Sequence, residues 1–354
     1  VKFAAGAAPE TIARPAAPSV GRILKNAVIF FAGLALACAV IRQILPFPEV
    51  AQVSAKRHHY AAHQDEYDLL FIGSSRVNQH FIPRQFGDRL AGLSGKTIRS
   101  FNFGVNGMWP PESFWMLRHL LSLKPGKLRW VFIEGMSINV SWSDRNNDSE
   151  RMTYWHDWQH TCMAWESVLE LPFKTRAKRR MLSNHAMHLV RGWTNQGRGA
   201  DLITRTLKAG QKRKSAGKRL SAWIETDGYH ADADSLLAGE ARLNFEREVF
   251  ALKANFESVP TPPAYFQALR NIVAELRTAD IEPILVVTPG GDNRENYEHV
   301  PDGLPIFRFD DPRQYPALFE AENRRDRSHL NHAGAQIFTD LLAERFARHL
   351  EGKP

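Results

Sequence analysis

Hydrophobic positions along this chain fall into three regimes. Residues 24–45 (LKNAVIFFAGLALACAVIRQIL) are apolar almost throughout. As a helix they would extend about 33 Å, enough to cross a bilayer. From residue 67 short apolar runs alternate with amphipathic stretches. Residues 67–72 (YDLLFI) end in Gly73-Ser74-Ser75, a buried strand entering a turn. A helix over 77–90 follows, its start delayed by Pro83. Residues 97–103 (TIRSFNF) alternate as a second strand and end in the turn 104–107 (GVNG). Pro110-Pro111-Glu112 opens a helix with Phe114, Leu117, Leu120 and Leu121 on one face. Residues 128–134 (LRWVFIE) form a third strand. The same rhythm returns in a helix over 263–278, a strand over 283–288 (PILVVT) and a last helix from about Asn331 to Leu350. Asn331 suits its N-cap. Alternating strands and helices predict an α/β fold with a mostly parallel sheet. Between them, residues 141–260 break the rhythm and read as a mostly helical insertion.

With 354 residues and 44% hydrophobic content, the chain can bury one sizeable core carrying a large insertion. The net charge is +8, concentrated in 174–180 (KTRAKRR) and 208–219 (KAGQKRKSAGKR). Such stretches attract nucleic acid, anionic lipid or acidic polysaccharide, or are simply solvated faces. No zinc-finger spacing or RNA-binding signature accompanies them, so nucleic acid is not an expected partner. The two cysteines, Cys38 and Cys162, are far apart and say little about compartment. No Cys/His cluster has zinc-ligand spacing, and no cofactor is required.

Residues 1–23 read as a disordered tail, 24–45 as a transmembrane anchor held in the lipid bilayer, and 46–66 as a polar linker. Arg14, Arg22 and Lys25 precede the uninterrupted apolar stretch 27–41, which favours an inside N-terminus and an outside body, although Arg42, Lys56 and Arg57 on the far side weigh against it. A cleaved signal, a lipoprotein site at Cys38 and a buried soluble helix are the other readings of the run.

The loops leaving the carboxyl ends of parallel strands form the ligand crevice of such folds, and the turns at 73–75, at 104–107 and after Glu134 all lie there. Ser75 stands in the first of them. A serine hydroxyl needs a base, usually a histidine oriented by a carboxylate. Asp326-Arg327-Ser328-His329 offers both, three residues apart. The order Ser, Asp, His occurs in several hydrolase folds, but the elbow G-x-S-x-G is not met, because position 77 is Val. Taken alone, Ser75 could equally be a turn residue, and Asp326 with His329 a capping pair.

These blocks resemble the SGNH (GDSL-like) hydrolase superfamily, especially its membrane-anchored branch of alginate-type polysaccharide O-acetyltransferases and the D-alanyl-transfer protein of teichoic acid modification. The resemblance covers roughly residues 67–140 and 263–350. The family's nucleophile falls on Ser75 in FIGSSR (71–76), with Ser74 where an Asp is usual. Its second block resembles NFGVNG (102–107), and its oxyanion glycine falls on Gly107. Its D-x-x-H block falls on Asp326 and His329. The family's Gly-x-Asn-Asp should lie near 135–138 (GMSI), where the asparagine is absent; Ser137 or Asn139 could substitute.

The resemblance implies a three-layer α/β/α, flavodoxin-like sheet with an N-terminal transmembrane helix. It implies extracytoplasmic acyl-ester chemistry, as O-acyltransferase or esterase, on a cell-envelope polysaccharide. Ser75, Asp326 and His329 would form the triad, with oxyanion contacts from Ser75, Gly107 and Asn102. The expected partners are a glycan acceptor and a membrane-bound acyl-donor protein. Trp155, His156 and Trp158 are candidates for stacking on sugar rings, or else pack the insertion onto the sheet. His80 and His332 read as bystanders. The contrasting expectations are a catalytically silent scaffold, suggested by the missing asparagine, and a plain soluble esterase.

Overall fold

A computed structural model describes residues 19–45, 47–141, 149, 151–198, 226–231, 236–255, 261–290 and 296–352. The basic stretch 208–219, Trp142 and Trp223 lie outside them, as does most of the tail expected at 1–23.

Five strands form one parallel sheet: β1 (Leu69–Gly73), β2 (Ser100–Gly104), β3 (Trp130–Glu134), β4 (Glu282–Val287) and β5 (Ile306–Arg308), in the order β2-β1-β3-β4-β5. Leu69 pairs with Ser100 on one side and Trp130 on the other, so β1 is central to the first half. All five residues of β1 and of β2 are buried; β1 accordingly reads as a continuous apolar run, whereas β2 reads as alternating because it buries Ser100 and Asn102 between its phenylalanines. Successive side chains point to opposite faces. Leu69, Phe71, Phe132 and Val286 join one apolar cluster, with Phe86, Phe338 and Phe346. Leu70, Ile72, Val131 and Leu285 join the other, with Phe114, Leu269 and Ile272.

The first cluster is closed by α4 (Pro83–Ser94) and α11 (His332–Leu350), which pack on each other. The second is closed by α2 (Ala51–His63), α5 (Glu112–Leu121) and α10 (Pro263–Thr278). A short α3 (Ser75–His80) links β1 to α4, so the single helix expected over 77–90 is two, with Pro83 opening the second. The insertion is helical in its described residues: α6 (Arg151–Tyr154), α7 (Trp158–Glu170), α8 (Thr175–Trp193) and α9 (Gly239–Ala254). Residues 174–180 start α8 as a largely solvated face.

The first helix, α1 (Val20–Ile44), begins four residues before the expected start of the anchor and is capped by Ser19. It is long and apolar enough to span a membrane, and its apolar window is not buried against the rest of the chain. The stretch expected to be a polar linker instead contains α2, a packed helix. Its Tyr60 is fully buried, and so is the ammonium-bearing Lys56. Polar residues on a buried helix face erase the signal that would have revealed it.

Candidate active site

Ser75 is the first residue of α3, immediately beyond the carboxyl end of β1, and is half-buried. Several contacts fix the backbone there. The Ser74 N–H donates to Glu134 Oε2 at 2.6 Å, and the Ser74 hydroxyl lies 3.2 Å from Glu134 Oε1. Thr288 Oγ1, at the end of β4, donates to the same Oε1 at 3.0 Å. The Ser74 hydroxyl in turn accepts the Arg76 N–H, capping α3. The ends of three strands are thereby tied to one buried carboxylate. Gly73 is required for this approach, since a Cβ on it would lie 2.4 Å from Glu134 Oε2.

Asn102, on β2, holds the other side of the turn. Its Nδ2 donates to Val77 O and Phe81 O, both at 2.7 Å, while its Oδ1 accepts the Gly104 N–H at 2.8 Å. Both amide hydrogens are thus committed to the backbone of α3 and its exit. Asn102 is fully buried and positions the turn that carries Ser75; it has no hydrogen left for an oxyanion. This replaces the donor role expected for it. Lys56 reaches up from α2 to the same place, donating to Asn78 Oδ1 at 2.7 Å, Gly104 O at 2.6 Å and Asn102 O at 3.1 Å. Burial drives its pKa well below the ordinary lysine range.

Asp326 and His329 occupy a tight turn before α11, closed by an antiparallel bridge between Arg324 and Leu330. Asp326 Oδ1 accepts the backbone N–H of Ser328 at 2.8 Å and of His329 at 2.9 Å. The His329 Nδ1 lies 2.9 Å from both carboxylate oxygens, and its Nε2 lies 2.7 Å from Ser75 Oγ. Arg325 adds a 3.0 Å contact to Asp326 Oδ2. Burial alone would raise the Asp326 pKa. The hydrogen bond and charge of His329, the Ser328 N–H and Arg325 outweigh it and hold the carboxyl below the usual range. An ionised Asp326 fixes the proton on Nδ1 of the neutral ring and leaves Nε2 to accept from the serine hydroxyl.

His80, expected to be a bystander, positions this turn. Its Nε2 accepts the Leu330 N–H at 2.9 Å, next to His329, and its carbonyl accepts from Thr339 of α11 at 3.1 Å. Burial, then the neighbouring His329 and arginines, keep His80 neutral. His332 contacts Tyr229 instead, Nδ1 to hydroxyl at 2.9 Å.

Gly107 lies in the turn after β2 with φ 69°, a conformation that favours glycine. The Val105 N–H donates to Gly73 O at 2.9 Å, so this turn sits directly beside the turn that carries Ser75. Asn106 is held there by Arg151 Nη1 on its carbonyl at 2.6 Å. After β3, Asn139 uses its Oδ1 on the Ser141 N–H at 3.0 Å, within its own turn. Ser137 is half-buried nearby in sequence.

The aromatic candidates separate. Trp155 and His156 are fully buried, and His156 Nε2 meets His185 Nδ1 at 2.9 Å. Neither can stack on a sugar ring, which corrects that expectation: they pack the insertion. Trp158 is 59% exposed, edge-on to Trp165. Among the described residues no group of three or more His, Cys, Asp or Glu side chains is placed to hold a metal ion.

Glu134, Thr288, Lys56 and Asn78 were not anticipated. Only Glu134 left a trace in the sequence, a charge ending an otherwise apolar strand. Chemically, the arrangement is a solvent-reachable hydroxyl whose proton has a base at hydrogen-bond distance, and a base whose positive form has an adjacent counter-charge. No protein-family model matches this chain, and no curated protein matches it either.

Proposed function

We propose that the chain is a membrane-anchored serine acyl-ester enzyme of the SGNH type, acting as O-acyltransferase or esterase on a cell-envelope glycan. The observation carrying this reading is the unbroken relay from Ser75 Oγ to His329 Nε2 at 2.7 Å, and from His329 Nδ1 to Asp326 at 2.9 Å. Strand order 2-1-3-4-5 with helices on both faces supports a three-layer, flavodoxin-like arrangement. In such sheets the ligand crevice lies at the carboxyl ends of the strands, where Ser75 stands.

In the reaction, His329 Nε2 takes the Ser75 proton as Oγ attacks the ester carbonyl. The Oγ–C bond forms, and the developing oxyanion is received by the backbone N–H groups of Ser75 and Gly107. The ester C–O bond breaks, and the leaving oxygen takes the proton from His329. A sugar hydroxyl or water then gives its proton to His329 and attacks the acyl carbon. The C–Oγ bond breaks and the proton returns to Ser75. Asp326 stabilises the imidazolium in both halves. The anchor α1, with Arg14, Arg22 and Lys25 on the N-terminal side of its uninterrupted apolar stretch, favours a body outside the cytoplasm. There, a polysaccharide acceptor and a membrane-bound acyl-donor protein are the natural partners.

The test is intact-mass spectrometry of the full chain in detergent after exposure to an activated acetyl ester. An acetyl-sized increment on Ser75, absent from Ser75→Ala and His329→Ala, supports the reading. No increment across several acyl donors in well-folded protein overturns it. The alternative, a silent glycan-binding scaffold, then stands on the missing asparagine at 135–138, with exposed Trp158 to probe.

A further inference from the structure

The end of α8 meets α1 near the carboxyl end of the apolar helix. Asn195 Nδ2 donates to Cys38 O at 2.9 Å. Two depressions adjoin at this junction. One, of about 420 Å³, is apolar and runs along α1 between Phe31, Leu34, Cys38 and Trp193. The other, of about 290 Å³, holds the guanidinium-bearing residues Arg42, Arg57, Arg191 and Arg198. Arg42 lines both, so the two depressions adjoin at this residue.

The dimensions match a lipid. From Phe31 to Arg42 the groove follows about 16 Å of helix, close to half of a ~30 Å hydrocarbon core. Arg57 stacks over Phe47 at 5.2 Å and donates to His119 Nε2 at 3.2 Å, which orients its guanidinium. Burial and the Arg57 charge push His119 down to about 4, so it accepts that bond as a neutral ring at neutral pH. Planar guanidinium groups bind phosphate oxygens in pairs. Beside the groove, Met187, Val190 and Trp193 form an exposed stripe at three-residue spacing on α8, suited to the interfacial zone.

We propose that this junction binds one anionic phospholipid, its phosphate among the four arginines and one acyl chain in the groove along α1. The inference rests on reading α1 as the membrane anchor and is independent of the chemistry at Ser75.

The experiment is native mass spectrometry of the detergent-solubilised full chain with phosphatidylglycerol, with diacylglycerol lacking phosphate, and with inorganic phosphate as competitor. The expected result is one retained phosphatidylglycerol, no retained diacylglycerol, and no displacement by millimolar phosphate. Arg191→Gln with Arg198→Gln, and separately Ala35→Trp to fill the groove, should each weaken retention at least tenfold with unchanged melting. Equal retention in the variants overturns the proposal. Displacement by inorganic phosphate overturns the lipid assignment in favour of a soluble anion. Carbonate extraction of membranes keeps the two readings apart. A chain released by carbonate removes the anchor itself, whereas a chain that stays in the membrane and retains no lipid removes only the site.

Discussion

Ser74 is bound to Glu134 through both its backbone and its side chain, with the N–H at 2.6 Å and the hydroxyl at 3.2 Å from the two carboxylate oxygens. Because Ser75 is the next residue, this contact sets where its hydroxyl stands. Glu134→Ala leaves the Ser74 N–H and the Thr288 hydroxyl without their buried acceptor, at a cost of about 2–4 kcal/mol. Glu134→Gln keeps an acceptor for the N–H and should cost no more than about 1.5 kcal/mol. Urea melts of the two variants check the ranking, and the Ser75 acylation rate should follow the same order.

Asp326→Asn retains the shape of the turn but favours the wrong imidazole tautomer. Acylation should slow by about 10²–10⁴-fold. The carboxyl of Asp326 titrates below its ordinary value of 3.8, so its contribution to stability is complete above that pH and lost as pH falls beneath it. Acid melts of wild type and variant should therefore begin to approach each other below about pH 4 and converge only as pH falls further. Burst kinetics at pH 7 test the first expectation and pH-dependent melting the second.

Lys56 joins α2 to the backbone beneath the nucleophile turn. Lys56→Met removes the donor for Asn78 Oδ1, Gly104 O and Asn102 O, and should destabilise the fold by about 1–3 kcal/mol. The folded pKa is lowered, so the unfolded chain binds the extra proton and wild-type stability rises toward alkaline pH. Lys56→Met should flatten that rise, as read from thermal melts between pH 7 and 10.

His156 and His185 form a buried pair within the insertion. Burial pushes His185 down from 6.5 to about 4, and burial with the neighbouring His185 and His188 lowers His156 as well. Stability is complete above the unfolded value and is lost as pH falls from 6.5 to about 4, by on the order of 3 kcal/mol for His185. The melting temperature of the wild type should drop over this range, and His185→Gln should drop less. An equal drop in both would show that the pair does not carry the effect.

What was legible in the sequence is the part governed by continuous burial. β1, β3, β4, α10 and α11 are long apolar runs or clear stripes, and the turns between them follow. β5 is a three-residue strand, too short to carry a pattern. α2 was hidden because Ser54 and Lys56 sit among its buried residues, and a buried lysine reads as exposed. Ser75, His329 and Asp326 lie together in the folded chain, although spacing in the sequence pointed only to the pairing of the last two. The contacts around them were not readable, because they join residues distant in sequence through hydrogen bonds that leave no periodicity. Trp155 and His156 left two readings open for a related reason: an aromatic-polar pair has the same composition whether it faces a ligand or fills a core, and burial selects the second.

Ser75 and His329 are separated by 254 positions along the chain. The imidazole arrives on the turn that introduces α11, and that turn is held by His80 and by the packing of α11 on α4. The hydroxyl and the ring that faces it are therefore brought together by tertiary docking alone, with no local element to pair them. On the chemistry proposed above, a chain in which α11 has not docked carries Ser75 without its activator, so that docking step acts as the safety catch.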